Sequence, residues 1–469
     1  LNKNFLYIPL EIYRRELNGM LLLALVAAKR GWSVIIGGKK SLFPVLADFP
    51  QGTVLLKSIV PGEVDLQKTI KSNGHKITSI DAEGLLPSNG RSGVDLRYSE
   101  KSIEESDLVF FWGDEQYSQV EKYLPIIKKC GFVTGSPIFD YWKLLRSEKK
   151  KQERGDCKTI LIATSFPYPN HYIDREMSYA SVKSASGSGA TDEHLKEIFL
   201  DGELQDFIYP QFKSLVESII TSYPEVRVIL RPHPAENPTP WEDFSKYRNV
   251  KMSRSGDISP LLLESDILIH FNSTTSIEAH YYGVDVITFV PDELPSKLYN
   301  RLNKQALLSS VVSSSNDDLL KKVGSFLQGQ KFEVSLKLDN LIRDCHDERI
   351  SSSSENILGL LEELSAPGPK KGFPSRSQIL FNKKAIYSNI RLRLVWLAGW
   401  IDHLTRLFSG RYSSQRNIFK YGLTKQGHLS LVDFQNKARE LAKGLDLEIA
   451  DFKIEKLKNG LFKVEREQK

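Results

Sequence analysis

The sequence predicts an α/β protein made of two doubly wound, parallel-sheet domains facing one cleft. Short apolar runs of the kind that become buried parallel strands recur along residues 1–366, alternating with segments that carry apolar residues at helical spacing. The alternation is broken once, by the charged run E-K-K-K-Q-E-R-G-D at 148–156, and then begins again. A chain of 469 residues with 41% hydrophobic and 26% charged residues has room for two or three ordinary globular cores.

The first domain is expected over residues 1–150. A strand at 5–8 leads to a helix at 11–30, whose apolar face uses Leu17, Leu21, Ala24, Leu25 and Ala28. Gly31 ends the helix as a C-cap, and a strand at 33–36 runs into Gly37-Gly38-Lys39-Lys40, completing a βαβ unit. Further strands are expected at 54–56, 77–80, 108–112 and 132–133, with helices near 65–72 and 117–129. The second domain, 151–366, opens with a strand at 159–163. A polar stretch at 164–192 follows, containing S-A-S-G-S-G-A, which is either mobile or a functional lid. A helix at 193–222, strands at 226–230, 267–269 and 284–289, and helices at 317–327 and 350–364 complete it.

In open α/β sheets, ligands bind just beyond the carboxyl ends of the strands. The strand at 226–230 runs into Arg231, Pro232, His233 and Pro234. The strand at 267–269 is followed by Asn272, Ser273, Thr274 and Thr275, with a helix opening near Ser276. Hydroxyls and free backbone N–H groups at a helix start favour anions, so a cation, an imidazole and a helix start together suit a diphosphate or phosphodiester. The alternative is a plain loop and a plain cap. In the first domain Asp81 and Glu83, in S-I-D-A-E-G-L, follow a strand, with Gly84 allowing a tight turn. Such a carboxylate can act as general base or acid on a sugar hydroxyl, provided burial or a neighbouring charge raises its pKa; otherwise the two are solvated acids of an Asx-type turn. Asp140, in T-G-S-P-I-F-D, is either a helix cap or a ligand.

Several classes lose support. No G-x-G-x-x-G, Walker loop, H-E-x-x-H or G-x-S-x-G stands where its chemistry requires, and the histidines do not cluster at ligand spacing, so neither a cofactor nor a metal is expected. Cys130, Cys157 and Cys345 are far apart, as in a reducing compartment. The apolar run at 17–28 is too short to span a bilayer and is preceded by charged residues, so a cytoplasmic location is expected.

The net charge of +6 is uneven: residues 369–469 hold 21 Lys and Arg against 9 Asp and Glu, which leaves 43 against 49 elsewhere. Beyond a Gly/Pro-rich hinge at 367–374, Ile386, Ile390, Leu394, Leu397, Ile401, Leu404 and Phe408 form one helical face flanked by arginines. Residues 370–425 contain twelve Lys and Arg and one acid, Asp402. A third region, 367–469, is therefore expected to be a basic amphipathic tail on the inner, anionic face of the membrane. A helix packed on the body or against another copy is the alternative. No nucleic-acid recognition motif accompanies the basic residues.

Taken in order, E-x-x-x-R-E-L-x-G-x-L-L-L-A-x-x-A-A-x-R-G (11–31), I-D-A-E-G-L, T-G-S-P-I-F-D, R-P-H-P and S-T-T-S-I-E-A-x-x-x-G-V-D-V-I resemble the bacterial surface carbohydrate biosynthesis proteins, relatives of capsule and lipopolysaccharide Kdo transferases. The resemblance covers roughly residues 1–364. It implies a GT-B fold and a metal-independent glycosyltransferase that moves Kdo, or a related 3-deoxy-ulosonic acid, from a CMP-activated donor to a bacterial surface glycan or glycolipid. It further implies that His233 and Pro234 hold the CMP moiety beside Arg231. Ser273, Thr274 and Thr275, following Asn272, would meet the phosphate, with Glu278 near the ribose. Glu83 would take part in catalysis, with Asp81 as second candidate. There is one departure. The retaining β-Kdo transferases carry a nucleophilic Asp in a Q-x-x-x-x-D pattern, where this chain has T-S-F-P-Y-P-N-H-Y-I-D. Asn170 and His171 stand where the acid would fall and Asp174 lies further on, which leaves His171 and Asp174 as candidates and the stereochemical outcome open. A CDP-polyol phosphotransferase of the teichoic-acid kind and a non-catalytic component of a polysaccharide assembly are the alternatives.

Overall fold

A computed structural model describes residues 4–85, 90–149, 158–171, 192–254, 256–343, 346–364, 373–375, 378–379 and 429–467. The expected basic helix at 386–408, Asp174, and most of the linker and hinge lie outside these residues. Among the described residues no helix is long and apolar enough to cross a membrane.

The first sheet contains β1 (Phe5–Leu10), β2 (Ser33–Gly38), β3 (Thr53–Leu56), β4 (Lys76–Ile80), β5 (Leu108–Phe111) and β6 (Gly131–Val133). These are parallel in the order β2-β1-β3-β4-β5-β6. The second contains β7 (Thr159–Ala163), β8 (Arg227–Arg231), β9 (Val250–Met252), β10 (Ile267–His270), β11 (Asp285–Phe289) and β12 (Val311–Ser313). It is wholly parallel in the order β12-β11-β10-β7-β8-β9, so strand order reverses between β7 and β10. Two Rossmann-like domains joined in this way are the GT-B arrangement. The buried runs Ile160–Ile162, Val228–Leu230 and Ile267–Ile269 are Ile/Leu/Val-rich because both sheet faces are covered.

Among the helices of the described residues are α1 (Tyr13–Lys29), α2 (Pro137–Lys149), α3 (Asp192–Ser222), α4 (Thr275–Tyr281), α5 (Ser352–Leu364) and α6 (Leu431–Gly444). Helix α1 differs from expectation. Instead of one buried stripe, every residue from Glu16 to Ala28 is buried, because α2, α5 and α6 cover the side turned away from the sheet. A Cβ on Gly19 would stand 2.7 Å from the backbone nitrogen of Ile138, so α1 and the start of α2 meet backbone to backbone there.

The C-terminal part also departs from the expected tail. The hairpin of β13 (Phe452–Lys458) and β14 (Leu461–Arg466) adds to the first sheet, β14 pairing antiparallel with β2. Helix α6 opens on a capping box between Ser430 and Asp433 and buries Phe434, Ala438, Leu441 and Ala442. Phe434 stacks on Phe462 at 4.1 Å between ring centres. The count of basic residues hid this element, in which Phe434, Leu441, Phe462 and Val464 reach the core.

The domains share one apolar seam. Ile8 and Phe110 from the first sheet, and Leu161, Ile229 and Leu268 from the second, belong to one continuous cluster. Trp142 on α2 bridges it, with its ring 5.8 Å from that of Tyr281 and 6.3 Å from that of Tyr282. Asp140, expected as cap or ligand, caps α5: its carboxylate accepts hydrogen bonds from the N–H groups of Ser353 (3.0 Å) and Ser354 (2.8 Å) and from the Ser354 hydroxyl (2.6 Å). The final helix of the second domain is thereby fastened to the first.

Gly19→Ala is expected to lose about 1–3 kcal/mol of stability in urea denaturation, the usual cost of overpacking a tight contact. Unchanged stability would mean that the two backbones separate without penalty.

Candidate functional site

Strands β8 and β10 flank β7, so their carboxyl ends lie roughly 10 Å apart, two strand spacings. The reversal of strand order between β7 and β10 opens the crevice in which ligands of such sheets bind. His233 follows β8 and is exposed, whereas Ser273, Thr274 and Thr275 follow β10 and are half-buried. The sequence-predicted residues of these two loops are therefore brought together at one sheet edge.

His233 is held by its backbone. Its N–H donates to Thr164 Oγ1 at 3.3 Å and to Glu236 Oε1 at 3.2 Å, while its ring Nδ1 accepts from the Ala235 N–H at 3.2 Å. An accepting Nδ1 puts the proton of the neutral ring on Nε2. Glu236, which the sequence reading missed, is 1% exposed and organises the loops after β7 and β8. Oε1 also accepts from the Thr164 hydroxyl (2.7 Å) and the Phe166 N–H (3.0 Å), and Oε2 from Trp241 Nε1 (2.8 Å) and Asn170 Nδ2 (3.3 Å). Burial raises its pKa against these hydrogen bonds. Asn170 also donates to the Asn237 carbonyl at 2.8 Å, so it faces inward as a clamp between loops. His171 pairs with Glu236 along the backbone. The only signal in the sequence was the spacing of Glu236 three residues after His233.

At the end of β10 the side chains are engaged with their own loop. Asn272 adopts a left-handed backbone, φ 52°, and its amide holds the backbone N–H of Asn303 and the carbonyl of Arg301. Expected at the nucleotide, it is instead tied to the 301–303 loop. His270 accepts the Ser273 N–H on Nδ1 at 3.2 Å and meets Ser310 Oγ through Nε2 at 2.9 Å. Ser273 Oγ lies 3.0 Å from Thr275 Oγ1 and accepts the Thr275 N–H at 3.3 Å. Burial pushes the His270 imidazole down to about 3, so the ring is neutral and fixes the hydroxyl-bearing turn.

Arg231 and Glu278 are turned onto the loop after β9. Arg231 donates to Ser253 Oγ at 3.2 Å and to the Gly256 carbonyl at 2.6 Å. Burial and the nearby Arg14 of the first domain bring its pKa down to about 10. The Glu278 carboxyl is hydrogen-bonded to the Ser259 hydroxyl. Burial and the adjacent Asp257 push it up to about 8, so it is largely protonated at neutral pH.

In the first domain Glu83 does not meet the expected condition of a raised pKa. Arg97 spans both carboxylates, donating from Nε to Asp81 Oδ2 at 2.7 Å and from Nη1 to Glu83 Oε2 at 2.7 Å, and Arg15 binds the other Glu83 oxygen. Burial alone would raise the Glu83 pKa, but the two guanidiniums outweigh it and hold the group well below the usual carboxylate range. Glu83 is a weak base, suited to positioning Arg15 and Arg97. Gly84 is needed for space, since a Cβ there would stand 2.6 Å from the Trp112 ring. Asp81, Glu83 and Arg97 line a pocket closed on the other side by Gln305 of the second domain, whose amide donates to Glu115 at 2.6 Å.

No family model and no curated protein matches the chain. Among solved structures, it is similar to a putative UDP-N-acetylglucosamine 2-epimerase from Listeria monocytogenes, at 14% identity over 78% of this chain and 98% of that one, with a TM-score of 0.44. It is similar to the UDP-GlcNAc 2-epimerase from Neisseria meningitidis bound to UDP-GlcNAc, at 15% identity over 77% and 100%, TM-score 0.44. A structure of the wall teichoic acid polymerase TagF gives 12% identity over 78% and 90%, TM-score 0.45.

Glu236→Gln is expected to cost about 1–3 kcal/mol in chemical denaturation, because a Gln amide nitrogen must face one of two sets of buried donors. Because the folded-state pKa of His270 lies below the ordinary 6.5, the neutral ring's contribution is intact above that value. It is lost as pH falls toward 3, by about 1.4 kcal/mol per pH unit. The melting temperature of His270→Gln should therefore fall less steeply than that of the native chain between pH 6.5 and 4; parallel curves would show that the ring is not buried neutral.

Proposed function

We propose that the protein is a glycosyltransferase that moves a sugar from a CMP-activated donor, Kdo or a related 3-deoxy-ulosonic acid, to a bacterial surface glycan or glycolipid. What carries the reading is the pairing of exposed His233 after β8 with the hydroxyl-bearing turn Ser273–Thr275 after β10, on either side of the strand-order reversal. In this reading the Nε2 edge of His233 and the hydroxyls and N–H groups of the turn meet the cytidylate, whose departure as a dianion they stabilise. Arg231 supplies positive charge to the same edge, and Glu278 leaves Ser259 to accept from the ribose.

The acceptor lies on the first domain, in the pocket lined by Asp81, Glu83 and Arg97. With Glu83 held ionised between Arg15 and Arg97, its part is to orient the acceptor and these arginines rather than to remove a proton. Asp174 and His171 remain candidates for a group facing the sugar. No metal is required, since the arginines and the turn answer the phosphate charge. The basic segment 370–425 holds the protein peripherally at the inner, anionic membrane surface, where the acceptor is found.

One observation favours a second reading, transfer of a phosphopolyol from a CDP-polyol. Glu83 is held as a weak base, and phosphoryl transfer through a loose transition state leans on positioning and charge stabilisation, such as the Nε2–H of His233 supplies, more than on a strong base.

Thermal shifts with CMP, CDP, UMP and UDP separate these readings. Preference for CMP, with turnover of CMP-Kdo, supports the first; turnover of CDP-glycerol supports the second; no response to any nucleotide removes both. His233→Ala is expected to abolish the CMP shift. Glu83→Gln should keep the shift and lower turnover at least about tenfold; undiminished turnover would take Glu83 out of the mechanism.

A further inference from the structure

The loop after β9 is held from three directions. Arg231 binds Ser253 and Gly256, Glu278 binds Ser259, and Asn18 on α1 of the first domain donates through Nδ2 to Asp257 Oδ2 at 2.9 Å. The other Asp257 oxygen accepts from the backbone N–H of Ser259 at 3.2 Å and lies 3.4 Å from its hydroxyl. A hydrogen-bonded chain thus runs from Asn18 through Asp257 and Ser259 to Glu278, crossing from one domain to the other. Ser259, Asn18 and Glu278 are shielded from water, being 1%, 8% and 9% exposed, and Asp257 itself is half-buried.

We infer that Asp257 is a positioning residue that couples the seating of the first domain, sensed through Asn18, to the orientation of the Glu278 carboxyl. If α1 moves away, Asp257 Oδ2 loses the Asn18 amide. Its charge then turns to Arg231 and the Ser259 hydroxyl, and Ser259 is drawn from Glu278. Conversely, a ligand that takes the Glu278 carboxyl frees the Ser259 hydroxyl for Asp257 and weakens its hold on Asn18. The two effects are one coupling free energy seen from both ends. Tyr141 and Tyr282 stand beside Asp257 and Glu278, Arg231 interacts with Asp257, and Lys437 lies over the Tyr141 ring at 5.3 Å. The inference uses the proposed place of Glu278 at the donor nucleotide, but the coupling itself is a property of the chain without ligand.

The test is a reciprocal exchange. Asn18→Asp sets two carboxylates against each other. Asn18→Asp combined with Asp257→Asn restores a donor and an acceptor with their places exchanged: the amide introduced at position 257 donates to the carboxylate introduced at position 18, and its oxygen still accepts the Ser259 N–H. Two readouts are taken on the full chain, CMP affinity by calorimetry and amide hydrogen exchange along α4, which carries Glu278. Asn18→Asp should tighten CMP about tenfold and speed exchange in α4, and the double variant should bring both back to within about twofold of the native chain. Unchanged α4 exchange in Asn18→Asp, or a double variant no nearer the native chain than the single one, overturns the coupling. If the native chain binds no CMP, the nucleotide reading fails on its own, and the exchange data still decide the coupling. Should Asn18→Asp not fold, Asn18→Ala with the same readouts replaces it, and unchanged exchange in that variant counts against the inference.

Discussion

The Glu236 carboxylate is the constraint on which the candidate site depends. Its two oxygens accept hydrogen bonds from Thr164, Phe166, His233, Asn170 and Trp241, and so pull the loops after β7 and β8 into one rigid unit. A buried carboxylate is costly unless its lone pairs are satisfied, and here each oxygen has at least two donors. In return the His233 backbone is fixed while its ring stays exposed. The His270 ring does the corresponding work after β10, joining the Ser273 turn to Ser310. Exposed chemistry thus stands on buried polar supports at two strand ends.

The domains are joined by materials of different kinds. The apolar seam through Trp142, Tyr281 and Tyr282 gives cohesion without direction. The Asp140 cap on α5 and the Asn18–Asp257 contact are directional and fix the register of one domain on the other. The charge lattice at the first sheet's edge balances itself: Glu11 pairs with Lys39 and Lys57, Glu63 with Lys39, and Glu83 and Asp81 with Arg15 and Arg97.

Much of this was legible in the sequence. The runs T-I-L-I-A, V-R-V-I-L and D-I-L-I-H are apolar enough to belong only to strands buried on both faces, and they carried the second sheet and its strand-end loops with them. Strand β12 was harder, since V-V-S is three residues long and too short to show a period. The hairpin β13–β14 was hidden for another reason: its pairing with β2 is a contact across more than four hundred residues, and no local pattern announces which edge an extra strand will join. Within the site, positions were readable and orientations were not. The sequence puts Arg231, Asn272 and Glu278 at the correct strand ends, yet their partners Gly256, Asn303 and Ser259 come from other loops, and only the folded chain shows these side chains already engaged. The ionisation of Glu83 failed for the same reason, because Arg15 and Arg97 reach it from two separate helices.

A structure determined with CMP bound tests the central claim most directly. The account predicts the phosphate at the Ser273–Thr275 turn, His233 Nε2 within hydrogen-bonding distance of the nucleotide, and Glu278 swung from Ser259 to the ribose. CMP bound elsewhere, with His233 and Thr274 untouched, would contradict it.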